Sequence, residues 1–200
     1  MSGTLAWLLV GCGLLVVGVR RRSVAVGLVT LQALLLVGVA VDQGTGVAAA
    51  ALAVRAVALA SLFLLLVART REARPVRAGV APLVRASAAV ALALALTWLV
   101  PSIGLASRQS ERAVLALVAF GVATVATRRA TLFQMIGIVL VENGLALAAL
   151  ELPGTSTMIE LGVALDLTLV ALVAAVFHER IFAEFGAGDS AALRSLRDHP

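Results

Sequence analysis

Apolar residues run along this chain in long blocks, broken at short intervals by Arg, Gly, Pro and Ser. Seven blocks stand out, at about 4–19, 23–41, 47–67, 84–100, 111–127, 131–150 and 156–178. Most approach the ~20 residues that a helix needs to cross a ~30 Å hydrocarbon layer. They are apolar on all sides rather than along one stripe, as expected of helices buried in lipid. The pattern predicts an all-α, polytopic membrane helix bundle with about seven transmembrane helices. The breaks at Asp42–Gly46, Pro101–Ser107 and Leu152–Ser156 read as short turns, rich in residues that leave helical geometry easily. The 69–85 segment, with Pro75 and Pro82, reads as the longest loop, and the mixed charges from Glu179 onward as an amphipathic tail.

Composition agrees with the pattern. The chain is 62% hydrophobic and only 14% charged, with a mean hydropathy of +1.08, so it cannot cover itself with polar surface. All 16 basic residues are Arg, and their placement is a topology signal rather than a nucleic-acid face. If the helices alternate, Arg20–Arg22, Arg69, Arg71, Arg74, Arg77, Arg85, Arg128, Arg129, Arg180, Arg194 and Arg197 share one side. Only Arg108 and Arg112 fall on the other. The asymmetry predicts an N-terminus outside and a C-terminus in the cytoplasm. In the first block the positive cluster follows the apolar run instead of preceding it, which fits a retained helix better than a cleaved signal peptide. A lone cysteine, Cys12, and two histidines, His178 and His199, supply neither a disulfide nor the ligands of an iron–sulfur or zinc cluster. No cofactor is expected in this chain.

Against this apolar background a few polar side chains demand explanation. Glu142 lies 12 residues beyond Ala130, and Asp166 lies 12 residues before His178. At 1.5 Å per residue both reach roughly 18 Å from the Arg-rich end, near mid-membrane. Arg55 in the third block reaches roughly 20 Å by the same count, and Gln32 in the second roughly 15 Å. Ionisable groups at that depth are costly and mark either inter-helix pairs or an ion path. Burial opposes a carboxylate's charge while a neighbouring Arg favours it, and a proton-carrying site works between those two pulls. Glu160 stands just past the last turn, where it is either a helix-start carboxylate favoured by the dipole or a proton exit. Gly162 is expected at a close helix approach, and Glu151 reads as a solvated loop charge.

The later residues resemble a known family. Arg128-Arg129 followed by PheGlnMetIleGlyIleValLeuValGluAsnGlyLeuAlaLeu (133–147), MetIleGluLeuGlyValAlaLeuAsp (158–166) and the tail AlaAlaLeuArgSerLeuArgAsp (191–198) resemble component E of hydrogenase-4-type complexes. This is a membrane subunit of group 4 nickel–iron hydrogenases and formate hydrogenlyase-like assemblies. The last three helices are also similar to the K subunit of bacterial complex I and the corresponding antiporter C subunit. That likeness divides the chain into a four-helix region (1–107), a three-helix K-like module (108–178) and a cytoplasmic tail (179–200). It implies a proton path through Glu142 and a second carboxylate. Asp166 matches by spacing, although the family has Glu there, and Glu160 is a rival. It further implies antiporter-like and anchor membrane subunits as partners, with peripheral hydrogenase and iron–sulfur subunits that hold the nickel–iron centre and clusters.

The expected function is thus a non-catalytic membrane subunit that contributes to proton translocation within an oxidoreductase complex. The alternatives are the equivalent subunit of a complex I-like or cation/proton antiporter assembly, and a purely structural spacer. The predicted topology is checked by fusing a reporter to the C-terminus. Activity of a cytoplasmic reporter is expected, and activity of a reporter that functions only outside the membrane would overturn the orientation.

Overall fold

In a computed structural model, residues 3–69 and 81–152 are described, together with the isolated positions 162, 172 and 176. The described residues form helices and connecting turns only. The helices are α1 (Gly3–Gly18), α2 (Arg22–Asp42), α3 (Gly46–Arg69), α4 (Pro82–Leu99), α5 (Arg108–Thr127) and α6 (Thr131–Glu151). Each coincides with one of the first six apolar blocks to within a few residues. Apart from positions 162, 172 and 176 the seventh block lies outside the described residues, and Glu160 and Asp166 with it. Five helices, α2 to α6, are long and apolar enough to cross a membrane. At 16 residues, α1 spans only about 24 Å.

The turns follow from local chemistry. Gly44 has φ +74°, a left-handed conformation that suits glycine. It closes α2 as Thr45 N–H donates to the Ala40 carbonyl and Gly44 N–H to that of Val41. Pro82 opens α4 at a position where its missing N–H costs nothing. Ser107 caps α5 by accepting from the Ser110 N–H at 3.0 Å.

The antiparallel pair α5–α6 forms the centre. Helix α1 packs on α5 and also meets α2 and α4; α2 seats against α6, α4 against α5, and α3 against α2. Glycines set the spacing of the central pair. A Cβ on Gly121 would stand 2.5 Å from the Gly137 carbonyl oxygen, and one on Gly137 would stand 2.9 Å from the Gly121 oxygen. The backbones therefore touch, as small residues permit in membrane helices. Gly144 continues the seam, with Leu117, Val118 and Val114 within 3.3 Å of its hypothetical Cβ. Gly162, by contrast, has nothing within 4 Å and is exposed. The close approach expected there is found at Gly121 and Gly137 instead.

The core is divided in two along the bundle axis. Toward the arginine end, Val16, Val26, Phe63, Phe120, Phe133 and Ile136 pack with Ala89 and Ala93 of α4. Toward the other end, Leu9, Leu36, Leu52, Leu117 and Leu147 form a second cluster. Gln32, Arg55, Glu142 and Asn143 lie between the two in sequence on α2, α3 and α6, and all are buried.

The seam predicts the outcome of Gly121→Val and Gly137→Val. Each would drive a side chain into facing backbone that has no flexible end to yield, so each should cost about 1–3 kcal/mol or more. Thermal unfolding of the protein in detergent checks this. Gly11→Val, where nothing lies within 4 Å, should leave the transition within about 0.5 kcal/mol of the parent.

Candidate functional site: a buried polar layer

Helical geometry delivers one polar side chain each from α2 and α3, and two from α6, to the same level. Arg55 Nη2 donates to Glu142 Oε2 at 2.8 Å, and Arg55 Nη1 donates to Asn143 Oδ1 at 3.3 Å. Asn143 Nδ2 donates to Gln32 Oε1 at 2.8 Å, and Gln32 Nε2 donates to the Leu9 carbonyl of α1 at 2.9 Å. The result is one continuous hydrogen-bonded chain across α6, α3, α2 and α1. Gly13 makes room at its α1 end: a Cβ there would stand 3.4 Å from Gln32 Nε2 and 3.1 Å from both Leu117 and Phe120.

The layer is dry and nearly satisfied. Arg55 is 3% exposed, Glu142 1%, and Gln32 and Asn143 0%. In such surroundings an isolated charge is prohibitively costly, and the pair persists because each ion neutralises the other and the amides complete the geometry. Among the described residues two atoms of the pair remain without a partner: Glu142 Oε1 and Arg55 Nε. The carboxylate therefore uses one oxygen to hold Arg55 and keeps the other bare inside the bundle.

Gln32, Arg55 and Glu142 were each expected at mid-depth, and the structure joins them. Asn143 completes the chain yet was not singled out, although it stands next to Glu142 in an otherwise apolar run. The missed signal is that a primary amide surrounded by apolar residues needs hydrogen-bond partners much as a charge does. Its neighbour in sequence points about 100° away round the helix. Both can be buried because α6 is covered on several sides. Asp166 and Glu160 lie outside the described residues, so their relation to this layer is not part of the geometry.

Glu151 corrects the reading of it as a solvated loop charge. It is the last residue of α6 and is only 3% exposed. Its carboxylate accepts from Gln43 Nε2 at 2.8 Å and from Ser110 Oγ at 2.9 Å. Its carbonyl accepts from the Ala106 N–H. Burial follows because the 100–107 connection folds back over the end of α6. Glu111 organises the same connection, accepting from Ser102 Oγ at 2.6 Å and from the Gly104 N–H at 3.1 Å.

At the opposite end Arg128 ties α1 to the α5–α6 turn. Its Nη2 donates to the Val17 carbonyl at 3.2 Å and also to that of Val19. These carbonyls belong to the end of α1, where the helix itself supplies no donors. Its guanidinium lies 4.0 Å from the centroid of the Phe133 ring, a cation–π arrangement. Burial first, then the charges of Arg85 and Arg20, pull its pKa down to about 10, so it remains charged at neutral pH. Among the described residues no group of three His, Cys, Asp or Glu side chains converges as metal ligands would.

Comparison with protein-family models, with curated proteins and with solved structures gives no match to this chain. The fold and the layer together define an all-helical bundle with helices suited to a membrane and an ion pair at its core.

The pair predicts strong non-additivity. Arg55→Met or Glu142→Leu alone strands a buried opposite charge and should destabilise by about 3–5 kcal/mol. The double variant should recover much of that loss, and unfolding of all four proteins in one detergent measures the coupling. Asn143→Leu should cost about 1–3 kcal/mol by leaving Gln32 and Arg55 short of a partner.

Proposed function

We propose that this chain is a non-catalytic integral membrane subunit that helps move protons through an energy-converting complex. Glu142 is the group that takes up and releases the proton. The observation that carries the reading is Oε1 of Glu142, an acceptor buried at the centre of the bundle with no hydrogen-bond donor among the described residues. A carboxylate locked on both oxygens would have nowhere to put a proton. This one can be protonated on Oε1 without first releasing Arg55 from Oε2. Arg55 is the fixed countercharge of the ionised form, and Gln32 and Asn143 hold the arginine in register. Asp166, at the same depth as Glu142 by residue count, is the proposed second station, with Glu160 as its rival.

The resemblance of 128–198 to component E of hydrogenase-4-type complexes gives the proposal its particular form. The complex would be a group 4 nickel–iron hydrogenase or formate hydrogenlyase-like assembly in a bacterial inner membrane. Antiporter-like and anchor subunits would lie alongside, and the nickel–iron centre and iron–sulfur clusters would sit in peripheral partners. A purely structural role is favoured by a different observation: the Arg55–Glu142 pair and its two amides form a closed chain that also serves to fasten four helices.

One exchange separates the two. Glu142→Gln keeps the size of the side chain and removes the titratable group. Gln still accepts a hydrogen bond from Arg55 but no longer neutralises it, so the amount of assembled complex is measured alongside. Per assembled complex, proton uptake coupled to turnover in membrane vesicles should fall by about tenfold or more, the usual scale for loss of a proton-transfer group. Undiminished pumping in a Glu142→Gln, Asp166→Asn double variant would leave these carboxylates as fasteners and sink the proton-path reading.

A further inference from the structure

Among the described residues Arg85 is the largest fully buried side chain, at 1% exposure, yet its Nε, Nη1 and Nη2 have no hydrogen-bond partner there. Nothing in the proton-path reading uses it. A guanidinium carries five N–H donors and cannot shed its charge at neutral pH, so burying it unanswered is among the most costly arrangements a fold can hold. Its surroundings add to the imbalance, because Arg85 and the exposed Arg20 both act on Arg128 as like charges. Arg128 is itself committed to the α1 carbonyls.

We propose that Arg85, with Arg20 and Arg128 beside it, forms an anion site that takes the phosphate of an anionic phospholipid headgroup. Three features of the fold converge on that ligand. Arg85 belongs to the first turn of α4, and helical side chains sweep back toward the N-terminus. Its guanidinium is thus directed to the end of the bundle where α1 and α5 finish. Helices α2, α4 and α6 all begin at that end. None has a side-chain cap hydrogen bond or an acidic residue in its first turn, so their positive dipole ends favour an anion in the same region. The turn also lies at the rim of the bundle, with Leu83 81% and Val84 56% exposed just before Arg85 in sequence. At a membrane surface the abundant anions at that level are lipid phosphates. A guanidinium fork matches a phosphate in two-point geometry. Arg20 at the entrance disfavours a headgroup that carries its own cation, which selects anionic lipid over zwitterionic lipid.

The test uses the full-length protein, extracted with whatever subunits accompany it and stripped of lipid in detergent. Phosphatidylglycerol, phosphatidylcholine and inorganic phosphate are titrated separately while thermal unfolding and native mass spectra are recorded. The expected result is a saturable rise in Tm and one retained phosphatidylglycerol, with a much weaker response to phosphatidylcholine. Arg85→Gln should weaken that binding by about tenfold or more, the scale of a lost charge-assisted hydrogen bond. Arg85→Lys keeps the charge and should still prefer phosphatidylglycerol, so it decides the matter if the Gln variant does not fold. Equal retention of lipid by Arg85→Gln, or equal stabilisation by phosphatidylcholine, would overturn the site. A full response to inorganic phosphate with no gain from lipid would overturn the lipid as its source. Absence of binding by either phosphate probe, with Arg85 instead found against a carboxylate of an accompanying subunit, would replace the lipid with a protein partner.

Discussion

Arg55 and Glu142 meet 2.8 Å apart where the bundle is otherwise apolar, and neither side chain could stay charged there without the other. Taking either ion out of water costs several kcal/mol even after relaxation. Their attraction offsets that cost only when the geometry is held closely. The holding falls to Asn143 and Gln32, which in turn depend on the Leu9 carbonyl and on the gap left by Gly13. Four helices are therefore fixed relative to one another by one line of hydrogen bonds. Apolar packing alone would specify their relative slide and rotation far less sharply.

The two hydrophobic clusters are arranged about that line. Lipid tails are as apolar as Leu and Val, so burying those residues gives little drive for helices to associate in a membrane. What remains is close packing and polar bonding. The Gly121–Gly137 contact supplies the first for α5 and α6, and the polar layer supplies the second for α1, α2 and α3. Helix α4 shares in neither. Its buried residues Arg85, Ala89 and Ala93 occupy one side of its first two-thirds, while Leu94, Trp98 and Leu99 near its end stand exposed. Its attachment rests on the arginine-end half of the core, which makes the fate of Arg85 important for that helix.

Much of this was legible in the sequence, for physical reasons that can be named. The helices were readable because lipid imposes a length and an uninterrupted apolarity that six of the seven blocks display plainly. Gln32, Arg55 and Glu142 were readable because a polar group in such a block stands out, and rise per residue converts position into depth. Rotation about each helix was not readable, since helices apolar on every side carry no stripe to orient them. Contact between the three could therefore be anticipated in level but not in detail. Asn143 stands out less than Glu142 beside it, because an amide carries no charge although it has the same need for partners. Glu151 was misread because a carboxylate at a helix end looks solvated until the fold-back of a neighbouring connection is known. Gly162 was chosen for its spacing, whereas close approach depends on which faces meet.

The span of chain between the two halves of the ion pair has a consequence for how the protein is made. Arg55 and Glu142 are 87 residues apart, and a ribosome adding roughly 5–20 residues per second needs on the order of ten seconds to cover that distance. Throughout that interval α3 exists and its countercharge does not. A lone guanidinium in mid-bilayer is tolerated poorly, so α3 must wait at the protein-lined exit of the insertion machinery or ride high in the membrane with Arg55 reaching for the surface. Only when α6 has been made can Glu142 meet Arg55. Integration of this protein is in that sense a delayed event, timed by the synthesis of its sixth helix rather than by the hydrophobicity of its third.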